Sequence, residues 1–374
     1  MAFFGPRVDR YLRVLVSIGF LAALLLTARA EAAAPFSPSW FGVNGTPGTT
    51  GSPPGILSAY QRAQEANLQW VRIFFPWWQI EASNGVFNWD TAQTGPTDWC
   101  ACGGCPSIAQ KIQAARAAGR SIVGVLTETP TWLGGGANHN NPPPAGYFER
   151  FAREAALRFA NDVAVWELWN EPNLPEHWSG SAMQYRNLIL IPGRNAIKAA
   201  VPSAKVAAPA VNNPSTTTLN NFLGVSGGNF AVPIDIVSTH HYGSVTNVIN
   251  QGNAVGAWCD PKPGCLDWWI TEFGFASTGC CGACAQGAIS GAPGDDLVTI
   301  IRRCELNANP NEWLWCGKAM IFNLHDRTNL NGSCTNPGGI GCDLGLLKAD
   351  GTIRKKICKV EFYTTGTYLT PGCP

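Results

Sequence analysis

The chain has 374 residues, a formal net charge of +1 and only 14% charged residues. A chain so close to neutrality has neither a basic field for nucleic acid nor an acidic tail, so we expect no nucleic acid partner. It also contains 15 tryptophans, which either pack in the core or offer flat apolar faces to a ligand. Sugars are ligands of that shape.

The N-terminal segment predicts export. Arg7, Arg10 and Arg13 precede the apolar run 14–26, and small residues follow it, which is the order of a secretory signal peptide. An uncleaved membrane anchor is the alternative, but this run is shorter than the roughly 20 apolar residues that span a bilayer. We therefore expect 1–32 to be a signal peptide and 36–374 to be secreted, extracellular or periplasmic, without stable membrane insertion.

The chain has 14 cysteines, with short clusters at 100–105 and 280–284. Such spacings also occur in zinc sites. In an exported chain, disulfides that staple loops are favoured over a metal because the compartment is oxidising. The pairing stays open, and neither a metal nor another cofactor is predicted.

Apolar, β-rich runs alternate with helical patterns along the chain, and this alternation predicts a parallel α/β architecture. Eight such pairs in one domain of this length favour a (β/α)8 TIM barrel with disulfide-rich loop insertions. The main insertions are expected at 93–106, 134–146, 276–295 and 327–343. The strands are predicted at 41–45, 70–76, 121–128, 164–170, 205–211, 234–242, 268–274 and 319–325.

Polar residues lie at the C-terminal ends of these strands, where a barrel places its active site. Glu171 follows the fourth strand among tryptophans, and Glu272 lies in the seventh, within reach of Arg72 and Tyr242 if the barrel closes. Two facing carboxylates are what glycoside hydrolysis requires, since one protonates the leaving oxygen while the other attacks the sugar or activates water. The acid needs a raised pKa, which an aromatic setting would give Glu171, and the nucleophile must stay ionised.

Each candidate has a structural alternative. Glu171 could instead lie in a solvated turn, and Glu272 could form a buried ion pair with Arg72. His240 could be a core histidine. In those settings none of the three would have a catalytic role. Glu167 lies four residues before Glu171 on the same face of the strand but deeper in the barrel. We expect Glu167 to support the site and not to react.

Several motifs resemble those of the clan A retaining glycoside hydrolases, in the order that the clan has them. "WELWNEPN" (166–173) resembles the strand-four motif that carries the acid/base, and "WWITEFGF" (268–275) resembles the strand-seven nucleophile motif. The segments 71–90, 123–133 and 344–356 are similar to further motifs of the clan. Within it, the sequence is most similar to family 39, with family 5 second.

The resemblance implies a retaining hydrolase of O-glycosidic, β bonds in an oligo- or polysaccharide, either β-xylosidase-like or endo-β-glycanase-like. Glu171 would be the acid/base and Glu272 the nucleophile, with carboxyl groups about 5 to 5.5 Å apart. Asn170 would form a hydrogen bond with the sugar 2-hydroxyl, and Arg72 would orient the nucleophile. The other substrate-binding candidates are His240, Tyr242, Trp77, Trp132, Trp178 and His325. Many clan members have a tryptophan under the sugar at the end of strand eight, whereas here Asn323, His325 or Asp326 would take that place.

Two other classes of function compete with this prediction. A carbohydrate-binding surface protein on the same barrel would have lost catalysis, although Glu171 and Glu272 are both present. A zinc hydrolase using His240, His241 and His325 is disfavoured because the H-E-x-x-H spacing is absent. The sugar, its linkage, exo or endo action, the oligomeric state and glycosylation at Asn44 and Asn331 stay open.

Overall fold

The computed structural model describes residues 41–44, 67–91, 106–274 and 316–321, with positions 60, 61, 63, 64, 300 and 303. The predicted signal peptide, both cysteine clusters, His325 and Asn331 lie outside the described residues, as do the insertions 276–295 and 327–343. Within the described part of the chain, no helix is long and apolar enough to cross a membrane.

Eight parallel strands pair in chain order, and the last pairs with the first, so the sheet closes into a barrel. The predicted parallel α/β barrel is confirmed. The second and seventh strands match their predicted bounds, whereas the eighth begins at Cys316, three residues before its prediction. The strands are β1 (Phe41–Asn44), β2 (Trp70–Pro76), β3 (Ser121–Thr127), β4 (Val163–Leu168), β5 (Lys205–Asn212), β6 (Ile236–Tyr242), β7 (Trp268–Gly274) and β8 (Cys316–Ile321).

The described helices lie in the connections between strands. Ser107 caps one of them through a capping box with Gln110, and Gly119, at φ +70°, follows its end, which is the asymmetry of polar start and glycine stop that helices prefer. The α-helices are α1 (Trp77–Ile80), α2 (Ile108–Ala117), α3 (Tyr147–Arg158), α4 (Ala182–Tyr185), α5 (Ile191–Ala200), α6 (Thr216–Leu223) and α7 (Val245–Cys259). A 3-10 turn spans Thr131–Leu133 and a π-helical turn spans Arg186–Leu190.

The described residues form two apolar cores, one inside the barrel and one between the strands and the helices. The outer core is aromatic, since Phe75 contacts Trp166 edge to face with ring centroids 5.1 Å apart. Gly124 of β3 makes room for this pair, because a Cβ there would lie 2.8 Å from the Trp166 ring and 3.0 Å from Phe75. The inner core consists of Val123, Val165, Ala207, Ile236, Trp269 and Met320.

A disulfide joins Cys259 at the end of α7 to Cys265 in the loop before β7, with Cα atoms 5.5 Å apart. It closes a short turn on the approach to the strand that carries Glu272. The predicted staples in the two cysteine clusters lie outside the described residues.

Candidate active site

Irregularities in the strand pairing bring the polar side chains together at the C-terminal mouth of the barrel. Between β6 and β7 the register shifts, so that His240 pairs with Glu272 and Thr271 is the extra residue. A bulge of this kind re-aims side chains that simple alternation would send to opposite faces. Thr271 and Glu272 both join the polar network of the barrel interior as a result.

Arg72 of β2 is the centre of that network and has no exposed surface. Its Nε donates to Glu167 at 2.5 Å, its Nη1 donates to Glu272, and its Nη2 donates to the side-chain oxygen of Asn170 at 3.0 Å. Burial alone would lower the pKa of Arg72, but the charges of Glu167 and Glu272 outweigh burial and raise it. One buried cation on β2 therefore fixes two residues of β4 and its C-terminal end and one residue of β7.

Glu167 and Glu272 use this cation in different ways. Glu167 has no exposed surface, and its other oxygen accepts from the Thr271 hydroxyl at 2.7 Å, as expected for a supporting residue. Glu272 lies nearer the mouth, where its second oxygen accepts from the Tyr242 hydroxyl at 2.5 Å. A carboxylate held by a guanidinium and a phenol is oriented and charge-compensated.

Glu171 sits on a strained turn directly after β4. Its φ is +45° and that of Trp169 is +75°, a region that costs a non-glycine residue about 1–2 kcal/mol. Backbone bonds to neighbouring strands hold both residues, from Trp169 N to Leu126 O at 2.9 Å and from Glu171 N to Ala210 O at 3.0 Å. Strain of this kind clusters at functional sites.

The surroundings of the Glu171 carboxylate differ from the prediction. Its Oε1 accepts from Asn212 Nδ2 at 2.7 Å and contacts His240 Nδ1 at 2.8 Å, while its Oε2 lies 3.2 Å from His177 Nε2. The neighbouring tryptophans Trp166 and Trp169 are buried in the outer core. Among the residues that the structure describes, the contacts of this carboxylate are with polar groups and not with indoles.

This environment reverses the expected electrostatics of Glu171. Burial raises its pKa, but hydrogen bonds and charge from His177 and His240 outweigh burial and place the pKa well below its usual range. The prediction of a pKa raised by aromatic neighbours is therefore wrong for the free protein. Burial lowers the pKa of His177, yet its bond to Glu171 and the charge of that carboxylate raise it overall.

The two carboxylates face each other across His240. His240 Nδ1 lies 2.8 Å from Glu171 and 3.6 Å from Glu272, and one atom from each of the three residues lies within 4.8 Å of the others. Such a triad is geometrically able to hold a cation. Its carboxylate oxygens, however, already accept hydrogen bonds from Arg72, Tyr242 and Asn212, so the donor set favours an organic ligand.

Two of the three predicted tryptophan platforms belong to the protein core. Trp77 is fully buried and stacks on Phe151 with centroids 5.1 Å apart, and Trp178 is 2% exposed and packs edge to face on Trp169. Their faces are covered by protein, so the platform assignment is wrong for both. Trp132 is half-buried and donates its indole N–H to the Glu81 carbonyl at 2.7 Å.

Trp77 instead belongs to a buried polar cluster around Glu81. The Glu81 carboxylate accepts from Trp77 Nε1 at 2.7 Å and from the Gly85 amide at 2.7 Å, and it pairs with Arg150 of α3. These contacts fix the loop after β2 against α3. The "W-x-x-I-E" part of segment 71–90 therefore contributes to the scaffold of the barrel mouth.

Sequence reasoning missed two contacts of Glu171. Asn212 ends β5, and Asn173 fixes it through two bonds of 2.9 Å; weighing polar residues at every strand end would have found it. His177 lies six residues after Glu171 in the same motif, and the turn that Leu174 forms with Glu171 and His177 brings it back to the carboxylate. His325 lies outside the described residues.

The fold and the site define a parallel barrel with a pair of opposed carboxylates at the C-terminal ends of β4 and β7, the second of which pairs with a buried arginine. No family model matches the chain. It is 32% identical over 136 residues to a β-xylosidase from Caldicellulosiruptor saccharolyticus, covering 33% of this chain and 27% of that protein. It is 36% identical over 86 residues to a β-xylosidase from Geobacillus stearothermophilus, covering 22% and 17%. The matches thus span about a quarter or less of these relatives.

Solved structures share the fold over most of the chain. A family 39 enzyme from Xanthomonas axonopodis pv. citri has a TM-score of 0.60 at 16% identity, covering 88% of this chain and 67% of that one. A family 39 β-xylosidase from Caulobacter crescentus has a TM-score of 0.58 at 18% identity, covering 89% and 72%. The chain is similar to clan A glycoside hydrolases, and to family 39 in particular, as its motifs predict.

Proposed function

We propose that the protein is a secreted, retaining glycoside hydrolase that cleaves β-linked xylosides or related β-glycosides by double displacement. The observation that carries this proposal is the approach of Glu171 and Glu272, whose oxygens lie within 4.8 Å across His240 at the barrel mouth. An inverting enzyme separates its carboxyl groups by about 6.5–9.5 Å to admit a water between them and the sugar, whereas a retaining enzyme holds them about 5–5.5 Å apart. The observed approach supports the retaining mechanism.

Glu272 is assigned the role of nucleophile. A nucleophile must be ionised and held in line with the anomeric carbon, and the bonds from Arg72 and Tyr242 meet both needs. Its carboxylate forms a glycosyl ester with the sugar, with departure of the aglycone oxygen. Tyr242 and Arg72 then stabilise the carboxylate as it is released in the second step.

Glu171 is assigned the role of acid/base. In the first step its carboxyl protonates the leaving oxygen, and in the second its carboxylate takes a proton from the attacking water. Asn170 directly precedes Glu171, and its side-chain oxygen accepts from Arg72, which leaves the amide nitrogen to donate to a sugar hydroxyl. Such a bond strengthens as positive charge develops on the ring.

The substrate class follows from the relatives, among which two curated proteins are named β-xylosidases. We therefore propose β-xylosides as the first substrates to test and other β-pyranosides as the second. The carbohydrate-binding alternative predicts ligand binding with no turnover, and the zinc alternative predicts loss of activity after chelation.

The test is a screen of aryl β-glycosides and xylan oligosaccharides with proton NMR of the first product released. We expect the sugar to be released first as the β-anomer, with retained configuration, and then to mutarotate slowly. Release of the α-anomer, or no release from any β-linked substrate, would contradict the proposal. Glu272→Gly should lower kcat by at least about a thousandfold while binding persists. Added azide should restore turnover, because it attacks the anomeric carbon in place of the lost carboxylate and displaces the aglycone, giving a glycosyl azide of inverted configuration.

Secretion is tested separately, by expressing residues 1–374 in a bacterial host. We expect the protein in the periplasm or the medium with its first residue near position 33, as N-terminal sequencing would show. Protein that stays in the membrane fraction with Met1 intact would favour the alternative, in which the N-terminal segment is an uncleaved membrane anchor.

A further inference from the structure

His177 lies between the Glu171 carboxylate and solvent. The backbone fixes it there, since His177 N donates to Leu174 O at 3.0 Å and His177 O accepts from Trp169 Nε1 at 2.9 Å. Its side chain is 41% exposed and that of Glu171 is 9% exposed. The imidazole is therefore a partly solvent-exposed group in direct contact with a buried carboxylate.

The two oxygens of Glu171 have different partners. Oε1 is bonded to Asn212 and His240, both on the inner side of the site. Within the part of the chain that the structure describes, Oε2 contacts only His177. Oε2 is thus the oxygen from which a proton can leave for a substrate, and His177 is the group that can supply it.

We propose that His177 is a positioning residue that stores the proton of the acid/base Glu171 and returns it to Oε2 during turnover. This inference rests on the proposed function. In the free protein the proton resides on His177 Nε2 and Glu171 is a carboxylate. When the aglycone leaves, His177 passes its proton to Glu171 Oε2, and Oε2 gives that proton to the leaving oxygen, so that His177 becomes neutral and Glu171 is again a carboxylate. When water attacks the glycosyl ester, its proton passes through Glu171 back to His177, so the cycle closes without a net change.

The charges around His177 favour this storage. Glu171 faces it from the end of β4, Glu176 precedes it on the same turn, and Glu272 of β7 adds a more distant negative charge; all three raise the pKa of His177 against the opposing effect of burial. His240 of β6 reaches the same carboxylate from the other side. Removal of the imidazole forces the stored proton onto a carboxyl, and the ordinary pKa values of histidine and glutamate differ by about two units.

Two variants separate proton storage from simple packing. His177→Phe keeps a flat ring without a donor, and His177→Gln keeps a donor to Oε2 that does not titrate. For a phenyl-type β-glycoside, whose leaving oxygen needs a proton, we expect both variants to move the basic limb of kcat/KM to lower pH by at least about one unit. For a dinitrophenyl β-glycoside, which leaves without a proton, we expect kcat/KM at neutral pH to stay within about threefold of the wild type.

The matched control is His139→Phe. His139 is a half-buried imidazole that stacks on Trp78 with centroids 4.2 Å apart, and it should not move the basic limb. The inference is overturned if the basic limb of kcat/KM stays at the wild-type pH in both His177 variants, or in His177→Gln alone. It is also overturned if kcat/KM falls equally for the phenyl-type and the dinitrophenyl substrates.

A second measurement does not require turnover. The chain has only five histidines, so their imidazole protons can be titrated by NMR and assigned with the His177 variants. We expect the pKa of His177 to fall in Glu171→Gln, and an unchanged pKa would overturn the inference. If the wild type hydrolyses no glycoside but the pKa of His177 still falls in Glu171→Gln, the proposed function is wrong, whereas the sharing of a proton between His177 and Glu171 is supported.

Discussion

Replacing Arg72 by methionine should destabilise the fold by about 3–5 kcal/mol, the cost of removing one partner from a buried ion pair. Arg72 has no exposed surface, and methionine of similar length would leave Glu167 and Glu272 without their shared cation and Asn170 without its donor. A loss of 4 kcal/mol corresponds to about a thousandfold in the folding equilibrium. Urea unfolding with an unchanged m-value would measure it.

Two further variants show whether uncompensated charge is the cause. Arg72→Lys keeps the charge but loses the three-way fork, so it should cost less than Arg72→Met. Adding Glu167→Gln to Arg72→Met removes one of the stranded carboxylates and should recover part of the stability, giving a non-additive cycle. A wild-type stability for Arg72→Met, or strict additivity, would refute this account.

Three more predictions concern separate parts of the barrel. Gly124→Val should destabilise by about 1–3 kcal/mol through overpacking against Trp166, as thermal unfolding would show; an unchanged midpoint would contradict the packing. Burial lowers the pKa of Lys111 to about 7, so folding opposes its charged form. The free energy of unfolding should therefore rise with pH from about 7 to the ordinary lysine pKa of about 10.4, and the contribution of this group should be constant below that range. Lys111→Met should abolish this rise, as urea unfolding at a series of pH values would show. Tyr242→Phe removes a bond to Glu272 and should lower kcat about 10- to 100-fold with KM little changed, whereas an equal rise in KM would indicate a binding role.

The barrel was predictable from sequence because its strands are apolar runs bounded by polar or turn residues. β2 and β7 have this form and match their predicted bounds. β8 begins with Cys316, Gly317 and Lys318, which do not form an apolar run, so its start was placed too late. The bulge at Thr271 was not predictable either, since it depends on how β6 and β7 pair.

The environment of Glu171 was predicted wrongly because sequence neighbours and spatial neighbours differ. The tryptophans beside it in the chain point into the outer core, while Asn212 and His240 reach it from β5 and β6. Tryptophan itself does not say whether its face is covered. The partner of the Trp77 indole, Glu81, lies one helical turn later, and this spacing was the available signal for a core role.

The measurement that tests the central claim most directly is mass spectrometry of the protein after reaction with a dinitrophenyl 2-deoxy-2-fluoro-β-xyloside. The fluorine destabilises the positively charged transition states, and the good leaving group still allows the first step, so a glycosyl ester should accumulate. We predict one fluorosugar bound per chain, on the peptide that contains Glu272, and none on the Glu272→Gly variant. Labelling on Glu171, or rapid turnover of other β-xylosides with no covalent adduct at any time, would contradict the assignment of nucleophile and acid/base.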